Sequence, residues 1–366
     1  MINRIKKIVF IYLGCLLITI PVFGQNKHQE SNIDLNYAVG ADLSFLKMAE
    51  DSGAVFKDNG KAEPGLKIFR DHGYNWIRLR LFHDPDRLPN DLDYTIKLAQ
   101  EAQKRGFKFL LDYHYADSWA DPHQQPTPEA WKGLPDSVLI DSVYEYTKRT
   151  IAAFRDAGVM PQMVQIGNEV RNGMLWPSGK LPDHWDTFAR MLKAGINGVD
   201  AGRGQAPRPL IMIHYDQGGD AAGTRNFYDK LNSYGIGYDI IGLSYYPWWH
   251  GNLLQLRQNL LSIVNNFDKD VIVVETAYNW RPSEYKNQPA PFPETPEGQR
   301  SFLKTLNQTL LNISSSKIKG IFWWEPAVLG GLRSRGFFDD NGKALPVIHV
   351  FDKYMRGKTR QNNLPN

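Results

Sequence analysis

Cysteine is almost absent from this sequence, since Cys15 is the only one among 366 residues. It lies near the amino terminus, so the rest of the chain can form no disulfide. Small exported domains usually need disulfides because they bury too little apolar surface. A chain of this length, with 42% hydrophobic residues, can instead be stabilised by one large core.

An excess of charge of one sign is missing as well. The chain has 43 lysine and arginine residues against 39 aspartate and glutamate residues, and Arg4, Lys6 and Lys7 account for most of the difference. This balance argues against a strongly basic protein of nucleic acids or membrane surfaces, and we expect no nucleic-acid partner. The ten tryptophans would suit stacking against flat ligands.

Long glycine- or serine-rich linkers, charge blocks and internal repeats are also absent, which favours one large domain over two smaller ones. We predict that this domain covers residues 37–357, preceded by a leader at 25–36 and followed by a tail at 358–366. We expect the protein to act as a monomer.

Residues 1–24 have the pattern of a secretory signal peptide. Met1–Lys7 is basic, Ile8–Phe23 is apolar, and Val22-Phe23-Gly24 offers small residues at a cleavage site. The apolar run is short for a membrane span. We therefore predict export to the periplasm, the cell surface or the medium.

A lipid anchor on Cys15, within Leu13-Gly14-Cys15, is the alternative for this segment. Tyr12 does not suit a lipid-attachment motif, and the apolar Leu16–Phe23 would follow the anchor where a polar tether is expected. We do not expect the chain to be lipidated.

Beyond the amino terminus, short apolar runs alternate with amphipathic stretches. Continuous apolar runs rich in Ile, Val and Phe are typical of strands buried on both faces. The predicted strands are Tyr37–Asp42, Trp76–Leu81, Phe107–Asp112, Met163–Gly167, Pro209–His214, Ile240–Ser244, Val271–Glu275 and Ile318–Trp324.

The clearest helix is predicted to begin with Asp136 as its N-cap and to stop at Gly158, and Asp91–Arg105 and Trp185–Val199 have similar patterns. Eight strands alternating with helices predict an α/β fold, a single (β/α)8 TIM barrel. The alternative is an open doubly wound sheet, but no glycine-rich phosphate turn follows any strand.

In a barrel of this kind the functional site lies where the strands end. Polar and aromatic residues stand at all eight predicted strand ends: Asp42, then Arg78 and Arg80, Asp112 and His114, Asn168 and Glu169, His214 and Asp216, Tyr245 and Tyr246, Glu275, and Trp323, Trp324 and Glu325. The sequence therefore predicts a single site at this rim.

Glu169 and Glu275 each terminate an apolar run, where burial of a carboxylate is unfavourable unless it is paired or used. Strands four and seven lie on opposite sides of the barrel, so the two carboxylates can face each other. Glycoside cleavage needs such a pair, one as acid and one to attack or to activate water. The alternative for either residue is a structural salt bridge with Arg78 or Arg171.

Further motifs keep a fixed order along the chain: Gly40-Ala41-Asp42, Asn75–Arg80, His83-Asp84-Pro85, Asp112–Pro122, Gln165–Arg171, Met174-Leu175-Trp176-Pro177, Ile211–His214, Ser244–Pro247, Val273–Thr276, Pro296–Gln299 and Trp324–Ala327. Together they resemble glycoside hydrolase family 53, the endo-β-1,4-galactanases, within the retaining clan A. The Asn-Glu pair alone is weak evidence, whereas Asp112–Pro122 and Trp324–Ala327 are specific.

The resemblance implies hydrolysis of internal β-1,4-galactosidic bonds in pectic galactan or type I arabinogalactan, with retention of configuration and without a cofactor. It implies that Glu169 is the acid/base and that Glu275 is the nucleophile, kept ionised by Arg78. We expect the two carboxyl groups to lie about 5–5.5 Å apart.

The remaining predicted substrate-binding residues follow from the same motifs. Asn168 would bind the sugar 2-hydroxyl, and Trp324 would form a flat floor for a sugar ring. The others are Asp42, Asp112, His114, Trp119, His214 and Tyr245. For Trp131, Trp176 and the Trp248-Trp249-His250 segment, sugar stacking and simple packing both remain open.

No metal is expected. His114, Asp117, Asp121 and His123 lack a recognised ligand spacing, and Asp339-Asp340-Asn341-Gly342 lacks the later ligands of an EF-hand, so a turn is predicted there. Some family members bind calcium in a loop after strand seven; here Thr276–Pro296 is short, rich in proline and free of aspartate.

Two alternatives to a galactanase remain. Another clan A specificity, such as a β-mannanase or a cellulase, would share Asn168, Glu169 and Glu275. A sugar-binding barrel without turnover would keep the aromatic rim but would not need two opposed carboxylates.

Overall fold

The computed structural model describes residues 37–282, 289–328 and 333–352. Eight parallel strands close into a barrel in which every strand pairs with its neighbours in chain order and the last pairs with the first. The strands are β1 Ala38–Asp42, β2 Trp76–Leu81, β3 Lys108–Tyr113, β4 Met163–Ile166, β5 Leu210–Tyr215, β6 Ile240–Ser244, β7 Asp270–Glu275 and β8 Ile318–Trp324. The predicted (β/α)8 barrel is confirmed.

Helices follow the strands around the outside of the barrel. They are α1 Leu46–Asp51, α2 Gly65–Asp71, α3 Leu92–Lys104, α4 Asp136–Asp156, α5 Trp185–Gly202, α6 Ala221–Ser233, α7 Leu253–Asn266 and α8 Pro296–Leu311. Short 3₁₀ helices occupy Glu129–Trp131, Val170–Asn172, Arg333–Arg335 and Pro346–Phe351, and two-residue strand pairs join Lys57–Asp58 to Lys61–Ala62 and Gly173–Met174 to Gly179–Lys180.

Two helix ends follow the local sequence closely, and the start of α4 departs from it. Asp91 caps α3 by accepting a hydrogen bond from the backbone of Tyr94, and Gly158 after α4 has a φ of 73°, which suits glycine. The predicted N-cap role of Asp136 is wrong, because Pro135 occupies that position and Asp136 lies in the first turn. A carboxylate there still interacts favourably with the helix dipole.

The lower interior of the barrel is filled by apolar side chains. This buried cluster consists of Ala38, Trp76, Leu110, Met163, Met212, Ile240, Ile272, Val274 and Phe322. Gly40 is required beside it, because a Cβ atom there would lie 2.1 Å from the ring of Phe322. Apolar side chains therefore fill the barrel beneath the site, and polar side chains lie at the C-terminal ends of the strands.

Strand register places the polar strand ends side by side. Asp42 pairs with Arg78 on one side and with Trp324 on the other. The ladder between β6 and β7 shifts register after Leu243, so that Ser244 pairs with Glu275.

Three predicted segments lie outside the described residues, and so does the predicted end of the barrel domain at residue 357. The signal peptide at 1–24, the leader at 25–36 and the tail at 358–366 have no described structure, and these assignments stay predictions. Within the part of the chain that is described, no helix has the length and apolar character needed to span a membrane.

Candidate active site

The two predicted catalytic carboxylates face each other at the C-terminal rim of the barrel. Glu169 follows β4, Glu275 ends β7, and a carboxylate oxygen of each lies within 4.8 Å of the other and of a ring nitrogen of His214. Retaining glycosidases hold their carboxyl groups about 5–5.5 Å apart, whereas inverting enzymes need about 6.5–9.5 Å for a water. The observed spacing agrees with the shorter separation.

Glu275 is held in place by two donors. Arg78 Nη1 donates to Oε2 at 3.1 Å, and the Tyr246 hydroxyl donates to Oε1 at 2.8 Å. Burial raises the pKa of Glu275, while the charge of Arg78 and the hydrogen bond from Tyr246 oppose the rise. Both donors stabilise the ionised carboxylate.

Glu169 has a different environment. Its Oε1 accepts a 2.5 Å hydrogen bond from Ser244 Oγ, and no arginine is hydrogen-bonded to it among the described residues. Burial and the charges of Glu275 and Asp216 raise its pKa well above the usual value for a glutamic acid. Both pKa values are raised, but that of Glu169 is raised further because Glu275 has Arg78 and Tyr246 to stabilise its charge. Glu169 therefore keeps its proton to higher pH than Glu275, and the two carboxyl groups suit different roles.

The backbone at Glu169 is in the left-handed region, with a φ of 48°. Such a conformation is uncommon for a residue other than glycine and is often found at functional sites. It starts the 3₁₀ turn Val170–Asn172, which ends β4 abruptly and leaves the carboxylate at the rim.

His214 and Ser244 form a chain of hydrogen bonds that leads to Glu169. His214 Nε2 lies 2.8 Å from Ser244 Oγ, which in turn donates to the carboxylate. Burial and the nearby charge of Arg78 lower the pKa of His214 well below its usual value, so its ring is neutral. The neutral tautomer with the proton on Nε2 donates to Ser244 and completes the chain.

Arg78 is the centre of the buried polar network. It donates to Asp42 Oδ2 at 2.9 Å and to Asn168 Oδ1 at 2.8 Å, and its Nη2 lies 2.8 Å from Asp112 Oδ2. Burial disfavours its charge, but Asp112, Glu275 and Asp42 outweigh that effect and raise the pKa of Arg78. The guanidinium is therefore a permanent cation beneath the carboxylates.

Gln165 was not among the predicted site residues, yet it joins several of them. Its Nε2 donates to Asp112 Oδ1 at 2.5 Å and to Asn168 Oδ1 at 3.1 Å, and its Oε1 accepts from Arg78. The side chain is uncharged and lies inside an apolar strand run. Its place in the motif Gln165–Arg171 was the signal that could have identified it.

The two adjacent tyrosines after β6 point in opposite directions. Tyr245, predicted to line the site, is fully buried, stacks on Phe302 and donates its hydroxyl to the carbonyl of Gly251. Tyr246 is the one that contacts Glu275. Successive side chains point to opposite faces of a strand, so Tyr246 lies on the same side as Ser244, which contacts Glu169, and Tyr245 lies on the opposite side. The register shift after Leu243 inserts its extra residue in β7, between Val273 and Glu275.

The other predicted substrate-binding residues form two layers. At most 1% of the surface is exposed for Asp42, Arg78, Asp112 and His214, which contact neighbouring protein groups. Asn168 and His114 are 5% and 4% exposed, and Trp119 and Trp324 are half-buried with ring centroids 6.1 Å apart. Direct contact of these residues with a substrate stays a prediction.

The remaining tryptophans divide into packed and accessible rings. Trp248 is buried and stacks on Tyr278, and Trp131 is buried against Tyr146. Trp249, by contrast, is 44% exposed beside Tyr246. Packing therefore accounts for the first two, and Trp249 is available to a ligand.

Asp121 and Asp339, from the two candidate metal clusters, stabilise local turns. Asp121 accepts hydrogen bonds from the backbone of His123 and Gln124, and Asp339 accepts from the backbone of Asn341 and Lys343 in the predicted turn. In the described ranges, two groups have metal-compatible spacing: Glu169 with His214 and Glu275, and His72 with His349 and Asp352. The loop Thr276–Pro296 falls partly outside the described residues.

A closed (β/α)8 barrel with two buried, opposed glutamates at its C-terminal rim defines the class of glycoside-cleaving barrel enzymes. The particular family follows from comparison with known proteins. The model of glycosyl hydrolase family 53 matches residues 38–351, and the chain belongs to this family.

Relatives and solved structures agree with that membership. The chain is 37% identical over 302 residues to a protein of Aspergillus terreus named probable arabinogalactan endo-β-1,4-galactanase A, covering 79% of this chain and 85% of that one. It also matches the catalytic domain of an Ignisphaera aggregans family 53 enzyme, with 32% identity, a TM-score of 0.82 and coverage of 88% and 97% of the two chains. A fungal β-1,4-galactanase structure matches with 30% identity, a TM-score of 0.81 and coverage of 86% and 99%.

Proposed function

We propose that this protein is an endo-β-1,4-galactanase that hydrolyses internal bonds of pectic galactan or type I arabinogalactan with retention of configuration. The observation that carries the proposal is the opposed pair Glu169 and Glu275, with carboxylate oxygens within 4.8 Å of each other. Family membership and the names of the similar fungal proteins support galactan as the polymer.

In the proposed mechanism Glu169 begins protonated and Glu275 ionised, in keeping with the larger rise in the pKa of Glu169. Glu169 donates its proton to the leaving glycosidic oxygen while Glu275 attacks the anomeric carbon and forms a covalent glycosyl-enzyme. Glu169, now ionised, takes a proton from water, which attacks the same carbon and releases Glu275. Two inversions give net retention.

The side chains around the pair would hold the sugar. Asn168 lies against both Arg78 and Gln165, and a fixed amide can strengthen its contact with the 2-hydroxyl in the transition state. The half-buried rings of Trp119 and Trp324 and the exposed ring of Trp249 offer flat surfaces for the apolar faces of sugar rings. No cofactor takes part in this mechanism.

We further propose that residues 1–24 direct export and that the mature enzyme acts outside the cytoplasm as a monomer. The basic, apolar and small-residue order of Met1–Gly24 supports export. A polymeric substrate supports it too, because a long galactan chain does not cross a membrane.

The decisive experiment incubates the purified mature protein with linear β-1,4-galactan, and separately with β-1,4-mannan and β-1,4-glucan. Reducing ends and product sizes are followed over time, with Glu275→Ala as the inactive control. A rapid fall in galactan length with accumulating short oligosaccharides establishes the proposal. If only mannan or only glucan is cleaved, that polymer is the substrate and galactan is not. If a polymer is bound and none is cleaved, the protein is a sugar-binding barrel.

A further inference from the structure

Arg80, the second arginine of β2, is enclosed by two aromatic rings. It is 1% exposed, and its guanidinium carbon lies 4.4 Å from the ring centroid of Phe45 and 4.6 Å from that of Trp119. Both distances are well inside the range of about 6 Å in which a cation is attracted to an aromatic face. Within the described part of the chain, neither Glu169 nor Glu275 is hydrogen-bonded to Arg80.

Glu325 neutralises the charge of Arg80. It directly follows β8, which is separated from β2 by β1 in the barrel. Its Oε1 is hydrogen-bonded to Arg80 Nη2, and the side chain is completely buried. Glu325 directly follows Trp324 and has a φ of 47°, a conformation that costs energy for a residue other than glycine. The ion pair thereby ties β2 to the residue that follows β8.

The ion pair lies beneath the corner formed by two tryptophans. Trp119 rests on the guanidinium of Arg80, Trp324 precedes Glu325 in the chain, and the two rings meet edge to face at 6.1 Å. Both rings are half-buried, so each keeps an accessible portion. These are the rings to which the proposed function assigns the sugar.

Core stability alone does not account for such a pair, because well-packed apolar side chains of similar volume usually stabilise a core as well or better. A guanidinium also fixes the orientation of a neighbouring ring, since its plane and charge select one placement of the indole above it. A stacking surface needs such a placement, because a shift of the ring changes its contact with the sugar.

We propose that Arg80 and Glu325 are positioning residues that hold the Trp119–Trp324 corner as a sugar-stacking surface. The inference rests on the proposed function in that it assigns this corner to substrate. Arg80 acts through Trp119, and Glu325 acts through Arg80 and through the adjacent Trp324. Neither touches the reacting atoms.

The test is a double-mutant cycle with Arg80→Gln, Trp119→Ala and the combined variant, measured on galactan. Each single change is expected to raise KM about tenfold, with kcat within about twofold, as expected when a contact present in both ground and transition states is lost. The KM of the combined variant should be no higher than that of Trp119→Ala alone. Fully additive losses would overturn the proposal.

Glu325→Gln keeps the shape of the side chain and removes its charge. Like Arg80→Gln, it should raise KM. Arg70→Gln is the matched control. Arg70 also lies near an aromatic ring, with its guanidinium carbon 5.7 Å from the ring centroid of Phe107, but Arg70 belongs to α2 and not to a barrel strand. It should leave KM unchanged. If Arg80→Gln lowers the melting temperature and leaves KM unchanged, Arg80 is a structural residue and the proposal fails.

A second measurement tests the proposal without enzyme activity, in case Arg80→Gln folds poorly or galactan is not the substrate. Arg80→Lys keeps the charge but not the planar stack, and its near-ultraviolet circular dichroism should lose the band that Trp119→Phe also removes. An unchanged tryptophan band would overturn the proposal without any substrate. If the wild-type enzyme cuts another β-1,4-glycan instead of galactan, the galactanase assignment fails while the same cycle on that polymer still decides the role of Arg80.

Discussion

The Tyr246 hydroxyl donates a 2.8 Å hydrogen bond to Glu275 Oε1, whereas the hydroxyl of its neighbour Tyr245 donates to the carbonyl of Gly251. Two adjacent residues of the same type thus differ completely in their partners. The difference provides a matched pair of variants, since Tyr→Phe removes one hydroxyl and little else.

Tyr246→Phe is expected to lower kcat by about 10- to 100-fold, because a hydrogen bond to a charged group contributes about 1.5–3 kcal/mol. Tyr245→Phe should leave kcat within about twofold and cost about 1 kcal/mol of the free energy of unfolding. Steady-state kinetics and urea unfolding of both variants check this. A larger kcat loss for Tyr245→Phe would show that the register of β6 differs from the one described.

Glu275→Ala should reduce turnover by a factor on the order of 10⁴ or more, because no other group can form the glycosyl-enzyme. The fold should persist, since removing a buried carboxylate also removes its desolvation cost. The measurement is hydrolysis of galactan together with far-ultraviolet circular dichroism. Glu129→Ala, at an exposed glutamate, is the control and should be fully active; substantial activity of Glu275→Ala would reject it as nucleophile.

Glu169→Ala should lose about 10²–10⁴ in kcat on galactan, the usual contribution of general acid/base catalysis. On a nitrophenyl β-galactoside, whose leaving group departs without protonation, added azide should restore turnover and yield a glycosyl azide of retained configuration, because a small anion can attack the glycosyl-enzyme without a base. Nuclear magnetic resonance of the product identifies its configuration. An azide of inverted configuration would contradict the two-step mechanism.

The alkaline limb of the pH profile of kcat/KM should move in opposite directions in two variants. Asp216 raises the pKa of Glu169 through its charge, while the hydrogen bond from Ser244 lowers it. Asp216→Asn should therefore shift the loss of activity to lower pH, and Ser244→Ala should shift it to higher pH. Asp268→Asn, a change at an exposed aspartate, should not move it; shifts of the same sign in both test variants would refute the assignment of this limb to Glu169.

Acid should destabilise the barrel partly through Asp112. Burial alone would raise its pKa, but the charges of Arg78 and His114 outweigh burial and lower it to about 2. A carboxyl group whose pKa is lower in the folded than in the unfolded state stabilises the fold above about pH 4, and this contribution is lost as the pH falls toward 2. Urea unfolding should show that Asp112→Asn is less stable than wild type at pH 7 and that the gap narrows below pH 4. A constant gap from pH 7 to pH 2 would contradict this.

Strand positions could be predicted because the strands of a closed parallel barrel are buried on both faces. Such strands appear as continuous apolar runs, and β2, β6 and β8 match their predicted bounds, as Trp76–Leu81, Ile240–Ser244 and Ile318–Trp324. The end of α5 was less predictable, since the helix continues to Gly202 where packing against a neighbouring helix outweighs the low helix propensity of glycine.

By itself, the sequence determined the barrel, the rim on which the site lies and the two glutamates that face each other, because strand periodicity and strand-end chemistry are local properties. Only the tertiary structure decided that Tyr246 rather than Tyr245 holds Glu275, that Gln165 and Ser244 belong to the site, and that Arg80 and Glu325 meet beneath Trp119. These contacts join strands far apart in the chain. They depend on register, on one shift after Leu243 and on the closure of β8 against β1, and no local pattern records which side chains such a closure brings within hydrogen-bond distance.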